Sequence, residues 1–506
     1  MDYLHQIIEQ QCADNPAAHA LYWQNQTISY AEFAALIERI VSAIIANTQA
    51  GERIGVLALN CPAYVALMYA VPKAGRILVP LNTRLAREAH QQQIAELDIN
   101  LLIGDSELIH TLKLPNATRC ISFNDAFEGW LNQHKDIPPV ANQSIDTNSV
   151  AWLLFTSGTT GLPKAACLTH RSLLAGLESA NAGRPVLAND KYLYPFPLFH
   201  ISAHNVLHQH MHGAAVALLP AFNAADVLSS CARQGITTMS LAPTMIAMLL
   251  DHPEFDASKL STVRTIGYGA SAISAALLAR VLSETDCGLS QGYGMTELSG
   301  TAAFLDADAH RMAARERPEL LNTVGKVVPG VELTIVDSKG NAVANGKAGE
   351  IIIRGPQVIT AYWNNPAAST STIVDGWLYT GDIGILDDQG YLSIVDRKKD
   401  IIISGGENIA SREVENVLCQ FPGVRQAAVV GIPDAKWGEI VCALIEVDTE
   451  VDIEAPALIA FCKQQLAGYK APKRIQFGVL PVNASGKLDK NQIRAAFNKT
   501  LVNADR

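Results

Sequence analysis

Thr156-Ser157-Gly158-Thr159-Thr160-Gly161-Leu162-Pro163-Lys164 follows directly on the apolar run Trp152-Leu153-Leu154-Phe155. Four hydroxyls, two glycines and a lysine are thus packed into nine residues. Glycines let main-chain N–H groups turn inward around an anion without a Cβ in the way, hydroxyls add donors, and Lys164 adds charge. This is a backbone suited to holding a polyphosphate. It is not a Walker A loop, which needs GxxxxGK followed by Ser or Thr: Lys164 lies six residues after Gly158 and precedes Ala165.

Outward from this loop, apolar periodicity places it in an α/β sheet. Ser29-Tyr30-Ala31-Glu32 reads as a capping box, and Phe33, Leu36, Ile37, Ile40, Val41, Ile44 and Ile45 recur at helical spacing behind it. A β-like run at 54–59, a helical stretch at 62–74 and a run at 77–79 follow. The alternation returns after the loop at 214–219, 237–241, 244–250 and 263–268. From about 331 short β-rich runs at 331–336, 349–354 and 390–395 predict a small β subdomain. The charged run Asp396-Arg397-Lys398-Lys399-Asp400 reads as a solvated link. Beyond it, helix 411–420, strands 424–431 and 441–447, helix 455–466 and strand 474–479 form a compact α+β pattern.

With 506 residues, 49% of them apolar, the chain exceeds one hydrophobic core and is expected to form at least two domains. A net charge of −10 without a long Lys/Arg block argues against a nucleic-acid partner. The N-terminus lacks the pattern of a signal peptide, and no apolar run approaches the roughly 18 residues that span a bilayer, so a cytoplasmic protein with no integral membrane segment is expected. Nine cysteines without a CxxC pair suggest free thiols rather than disulfides or structural zinc.

Four more clusters accompany the loop: Gln291-Gly292-Tyr293-Gly294-Met295-Thr296-Glu297, Tyr379-Thr380-Gly381-Asp382, Asp396-Arg397 through Ser404-Gly405-Gly406-Glu407-Asn408, and Asn483-Ala484-Ser485-Gly486-Lys487. In this order and spacing, over nearly the whole chain, they resemble the adenylate-forming superfamily of acyl-CoA synthetases, luciferases and peptide-synthetase adenylation domains. The resemblance implies an α/β fold with a large N-terminal domain of two α/β sheet subdomains plus a small β subdomain (1–398). A small mobile α+β C-terminal domain (399–506) would follow, hinged at Lys399. It implies ATP, Mg²⁺ and coenzyme A as cofactors, and a monomer or homodimer.

Residue chemistry and resemblance together suggest roles. Glu297 offers hard carboxylate oxygen to Mg²⁺, with Thr296 beside it and Thr156 as a further ligand by resemblance. Tyr293 reads from residue type alone as a core tyrosine. The resemblance instead places it against adenine, between Gln291, Gly292 and Gly294, with Gly269-Ala270-Ser271 on the other side. Ser271, where many relatives have proline, departs from the pattern. Asp382 has two acceptor oxygens for a ribose and Arg397 can donate to the same sugar; an Asp after Gly also makes an Asx turn. Ile394 joins this nucleotide set by resemblance. Lys487 corresponds to a mobile catalytic lysine that serves only acyl-AMP formation, and Gly405 and Gly406 to a thiol channel.

For the substrate, His200 in Pro197-Leu198-Phe199-His200 is the candidate gate beside the acyl pocket. The segment Ile201-Ser202-Ala203-His204-Asn205 lacks the aspartate that holds an amino acid's α-amino group. Gly294, where acetate-using members carry tryptophan, is expected to leave the acyl channel open. A medium- or long-chain fatty acid is favoured, with an aromatic acid possible. His200, His204 and His208 would share a helical face, and local polar lining is favoured over a metal site there. Trp437 matches a position that packs the CoA nucleotide, with Tyr469, Lys470 and Lys473 near it. The chain ends without a carrier domain, so free coenzyme A is preferred as acceptor. The expected activity is therefore AMP-forming acid:CoA ligation. The alternatives are an acyl-AMP ligase that loads a carrier protein, a luciferase-like oxygenase, and a non-catalytic nucleotide-binding homologue.

Overall fold

The computed structural model describes residues 1–114, 118–136, 145–156, 163–269, 273–447, 453–482 and 488–504. The chain forms two compact units: 1–333 with 353–379 and 387–392, and 334–352 with 380–386 and 393–506.

In the first unit Ser29 accepts from Glu32 N and donates its own N–H to the Glu32 carboxylate, so the capping box starts the helix Tyr30–Asn47 as its sequence requires. Its buried positions Tyr30, Phe33, Ile37, Ile40, Val41 and Ile44 form one apolar face in the core. One sheet runs in the order Arg119–Ser122, Leu101–Gly104, Arg53–Leu57, Ile77–Pro80, Val150–Thr156, Lys164–Thr169. Its strands are parallel except for the last pair.

A second sheet of this unit carries Gly300–Leu305, Gly288–Met295, Thr265–Gly269, Thr238–Ser240, Lys191–Tyr194 and Ala215–Leu218 side by side. From Gly288–Met295 to Ala215–Leu218 these strands are parallel, so their carboxyl ends line one edge. In open α/β sheets that edge is where ligands bind. Two short strands that periodicity did not single out, His19–Trp23 and Gln26–Ser29, extend this sheet as a hairpin, His19–Trp23 pairing with Ala215–Leu218.

The second unit centres on a sheet in which Gly438–Val447 lies between Ile402–Ser404 and the long strand Val424–Asp434, and also pairs with Arg474–Phe477. Alternation buries both faces: Val429, Val441, Ala443 and Ile445 enter one cluster, while Ala428, Val430, Ile432 and Cys442 enter another with Ile493 and Phe497. The charged run 396–400 is a solvated link only in part, with Lys398 and Lys399 exposed. Asp396 and Asp400 are buried. The helix Ser411–Leu418 has no capping side chain at Ala410, and Asp396 Oδ2 supplies the missing acceptor, taking Ser411 N at 2.5 Å and Ser411 Oγ at 2.7 Å. Asp400 pairs with Arg494 at 2.7 Å. Burial of these two aspartates comes from elements that only the folded chain brings together.

Among the described residues no helix is long and apolar enough to cross a membrane.

Candidate active site

The stem of the phosphate-type loop is a hairpin. Val150–Thr156 and Lys164–Thr169 pair antiparallel with Thr156 opposite Lys164, and Thr156 Oγ1 donates to Lys164 O at 3.4 Å. Buried Trp152, Leu153, Leu154, Ala166 and Leu168 anchor both strands, so the two ends of the loop are fixed. Ser157, Gly158, Thr159, Thr160 and Gly161 themselves lie outside the described residues, as do Ala270, Ser271 and Lys487.

Tyr362, which sequence reasoning missed, ties this stem to Glu297. Its segment runs beside Lys164–Thr169: Trp363 N donates to Ala165 O at 2.8 Å and Cys167 N to Ala361 O at 3.0 Å. The Tyr362 hydroxyl donates to Glu297 Oε1 at 2.8 Å, and the Lys164 ammonium lies 5.2 Å from the centre of its ring. Burial, then the nearby Glu297 carboxylate, pushes the phenol well above its ordinary pKa, which keeps it a donor. Glu297 stands on the single turn Thr296–Leu298 after strand Gly288–Met295, with its carbonyl accepting from Ile359 N at 3.0 Å. Glu297, Thr296 and Thr156 provide one carboxylate and two hydroxyls, all hard oxygen donors, a set that fits a magnesium ion carried mostly by phosphate and water. Among the described residues no cluster of three or more His, Cys, Asp and Glu could hold a metal by itself.

Gly269 and Gly292 are register partners at the carboxyl ends of adjacent parallel strands. Tyr293 and Gly294 flank a bulge against Gly300–Leu305. Gln291 is buried, its side-chain oxygen accepting from Tyr268 at 3.2 Å. A Cβ on Gly294 would lie 2.0 Å from Gly300 O. Glycine is there because the next strand approaches, so its presence does not report the size of the acyl group. His200 caps the turn Ile201–Ala203, its ring 4.5 Å from that of Phe199. The helix begins only at His204, so His204 and His208 share a face that His200 does not join.

In the second unit Asp382 and Arg397 come together: Arg397 Nε lies 2.6 Å from Asp382 Oδ1. Asp382 is buried, follows Gly381, and donates its backbone N–H to Thr380 Oγ1 at 3.1 Å. Ile394 is half-buried on the strand Tyr391–Arg397. Gly405, Gly406 and Trp437 also cluster. Gly405 N donates to Trp437 O at 2.7 Å, and both glycines have left-handed φ, 61° and 86°, which favours glycine at each. Trp437 is 43% exposed, with Lys436 Nζ 4.9 Å from its ring centre. Lys470, expected near a ligand, instead holds the Glu413 carboxylate at 2.7 Å.

Residues 8–363 match the AMP-binding enzyme family, and residues 413–487 match the C-terminal domain of AMP-binding enzymes. The chain belongs to this family. As an AMP-binding enzyme it is of the AMP-forming acid–thiol ligase class. It is 34% identical to a feruloyl-CoA synthase of Amycolatopsis sp over 96% of each chain. It is also 34% identical to a fatty acid–[acyl-carrier-protein] ligase of Streptomyces coeruleorubidus, over 95% of this chain and 94% of the relative. Among solved structures, the O-succinylbenzoate coenzyme A synthetase of Bacillus subtilis, in complex with ATP and magnesium ion, superimposes with a TM-score of 0.85. It shares 29% identity over 96% of this AMP-binding enzyme and 99% of that chain.

Proposed function

We propose that this enzyme is an acid:CoA ligase that joins ATP and a hydrophobic carboxylic acid into acyl-AMP and pyrophosphate, then transfers the acyl group to coenzyme A. Medium- or long-chain fatty acids and aromatic acids fit this reading, the former favoured. The observation that carries it is the convergence of Lys164 and Glu297 on Tyr362 at the stem of the phosphate loop. A carboxylate and a triphosphate repel one another, and such a transfer depends on positioning and compensating charge. Lys164 supplies charge at the loop, and Lys487 serves acyl-AMP formation. Magnesium, held by Glu297, Thr296 and Thr156, would neutralise further phosphate charge. Tyr362 orients the Glu297 carboxylate for that task. Tyr293, with Gly269, Ala270 and Ser271, flanks adenine. Asp382, Ile394 and Arg397 bind the ribose side, the ion pair holding each partner in place for the sugar hydroxyls.

For the second half-reaction Gly405 and Gly406 line the path of the thiol, Trp437 packs the CoA nucleotide, and His200 gates the acyl pocket. Lys399 is the hinge between the domains 1–398 and 399–506. The likeness to a carrier-protein ligase makes a tethered thiol the second reading. Purified enzyme with ATP, Mg²⁺ and a panel of acids is expected to turn over AMP in multiple cycles with coenzyme A. Turnover with an acyl carrier protein and none with coenzyme A would replace the first reading by the second.

A further inference from the structure

Just below the carboxyl edge of the second sheet of the first unit, a guanidinium has only neutral partners among the described residues. The helix His170–Gly183 ends at Arg184, whose Nη1 donates to Ser240 Oγ at 2.8 Å and whose Nη2 donates to Asn205 Oδ1 at 2.6 Å. Its carbon lies 5.7 Å from the centre of the Tyr192 ring. Ser240, the last residue of its strand, is the register partner of Gly267. A Cβ on Gly267 would stand 1.9 Å from Arg184 Nη1 and 3.1 Å from the guanidinium carbon, so the group directs its Nη1 end at that strand. Among the described residues no carboxylate pairs with Arg184.

The neighbouring imidazoles are also short of partners. His204 uses Nδ1 on Ile201 O at 2.8 Å, while its buried Nε2 has no partner. His208 is fully buried and neither ring nitrogen has a partner among the described residues. Burial, and secondarily the Arg184 charge, lowers both, His208 well below its ordinary value, while His204 is brought down to about 4, its bond to Ile201 O only partly opposing the fall. An imidazole carries no negative charge in either protonation state, so these groups give the cation no counter-charge. A partly buried cation and buried unpaired polar atoms each cost free energy that a bound ligand can offset.

We infer that Arg184 is a specificity-determining residue that receives a second carboxylate, carried by the acid at a distance from the carboxyl group that is activated. This rests on the proposed acid activation and narrows its substrate class to acids with an apolar body and an anionic far end. Gly267 and Gly269 lie on one face of the strand, two residues apart, a rise of about 6.7 Å. Arg184 abuts Gly267, so its guanidinium reaches the strand about two residues below the level where Gly269 and Gly292 meet. Ser240 and Asn205 take two of the five guanidinium N–H donors and the Tyr192 hydroxyl also engages the group, which still leaves donors for a carboxylate.

The test compares matched pairs, octanoate with octanedioate and 3-phenylpropanoate with its para-carboxy derivative, by pyrophosphate release with hydroxylamine as acyl trap, so that no thiol acceptor is needed. The full-length enzyme is expected to show higher kcat/KM for the diacid of each pair. Arg184→Met is expected to lower the diacid-to-monoacid ratio about 30-fold, chiefly through KM, as for loss of a charge-assisted contact. Arg184→Lys, which keeps the charge, is expected to retain most of the ratio. A merely structural Arg184 would lower both acids together and leave the ratio unchanged, which overturns the inference. So does preference for a terminal hydroxy acid over the diacid. If monoacids are adenylated and diacids are no better, the ligase reading stands and this inference fails; if no acid supports pyrophosphate release, both fail.

Discussion

The two units differ in which polar groups they mostly bury. All thirteen histidines lie before residue 333, in the first unit, and His90, His170, His204, His208, His210 and His310 are buried there. The second unit has no histidine and instead buries carboxylates with cationic partners: Asp382 with Arg397, Asp400 with Arg494, and Glu350 with Lys398. The first unit holds its buried histidines uncharged, although it also buries Arg76 and pairs buried Asp190 with Arg264 at 2.6 Å. The second pairs three of its buried carboxylates with cations, while Asp396 is held by Ser411. The difference suits a rigid binding sheet on one hand and a charge-bearing domain on the other.

The largest test of this contrast is mild acid. Desolvation brings His170, His204 and His210 down to about 4 in the folded chain, against about 6.5 when exposed. Below pH 6.5 the unfolded chain takes up protons that the folded unit refuses, so this stability falls as pH falls and is fully present above pH 6.5. Each residue is expected to contribute a loss of about 2 kcal/mol by pH 5. Hydrogen exchange of the intact enzyme at pH 7 and pH 5 should show the first unit losing protection, with amides around the buried histidines leading. Earlier loss in the second unit would break the comparison.

Next in size is a division of labour. Lys487→Ala is expected to slow acyl-AMP formation by about 10²-fold or more, as for removal of a charged transition-state contact, while conversion of supplied acyl-AMP and thiol continues. Equal damage to both half-reactions would show that the lysine does not serve one step alone. Lys399→Pro should do the opposite, sparing pyrophosphate release and slowing thioester formation; a block in pyrophosphate release would misplace the hinge.

The smallest expected effect lies in the first unit. Tyr362→Phe removes one hydrogen bond to a carboxylate and is expected to lower adenylation about tenfold. The magnesium concentration for half-maximal rate should rise with it, which loss of packing alone would not cause. An unchanged magnesium dependence would remove Tyr362 from the site.

Much of the fold was legible because its signals are local. The capping box at Ser29 and Glu32, the alternation through 54–79, and the C-terminal helices and strands are written in neighbouring residues. The hairpin His19–Trp23 with Gln26–Ser29 was not, because strands this short take their identity from pairing with Ala215–Leu218. Site residues divide the same way. Gly405, Asp382 and Glu297 stand in motifs, whereas Tyr362 acquires its role only by lying across from Lys164–Thr169, far away in sequence. Arg184 escaped for a similar reason, since its isolation from any carboxylate is a fact of three dimensions. The run 396–400 was partly misread, because composition reports charge and not the partners that bury its aspartates.

Trp437 gives the second unit a built-in optical reporter. Of the six tryptophans, the other five lie in the first unit. With Trp437 half in water beside Lys436 and stacked close to Gly405, its emission is the component most open to aqueous quenchers. Replacing the other five with phenylalanine would leave an indole whose spectrum follows the small domain alone.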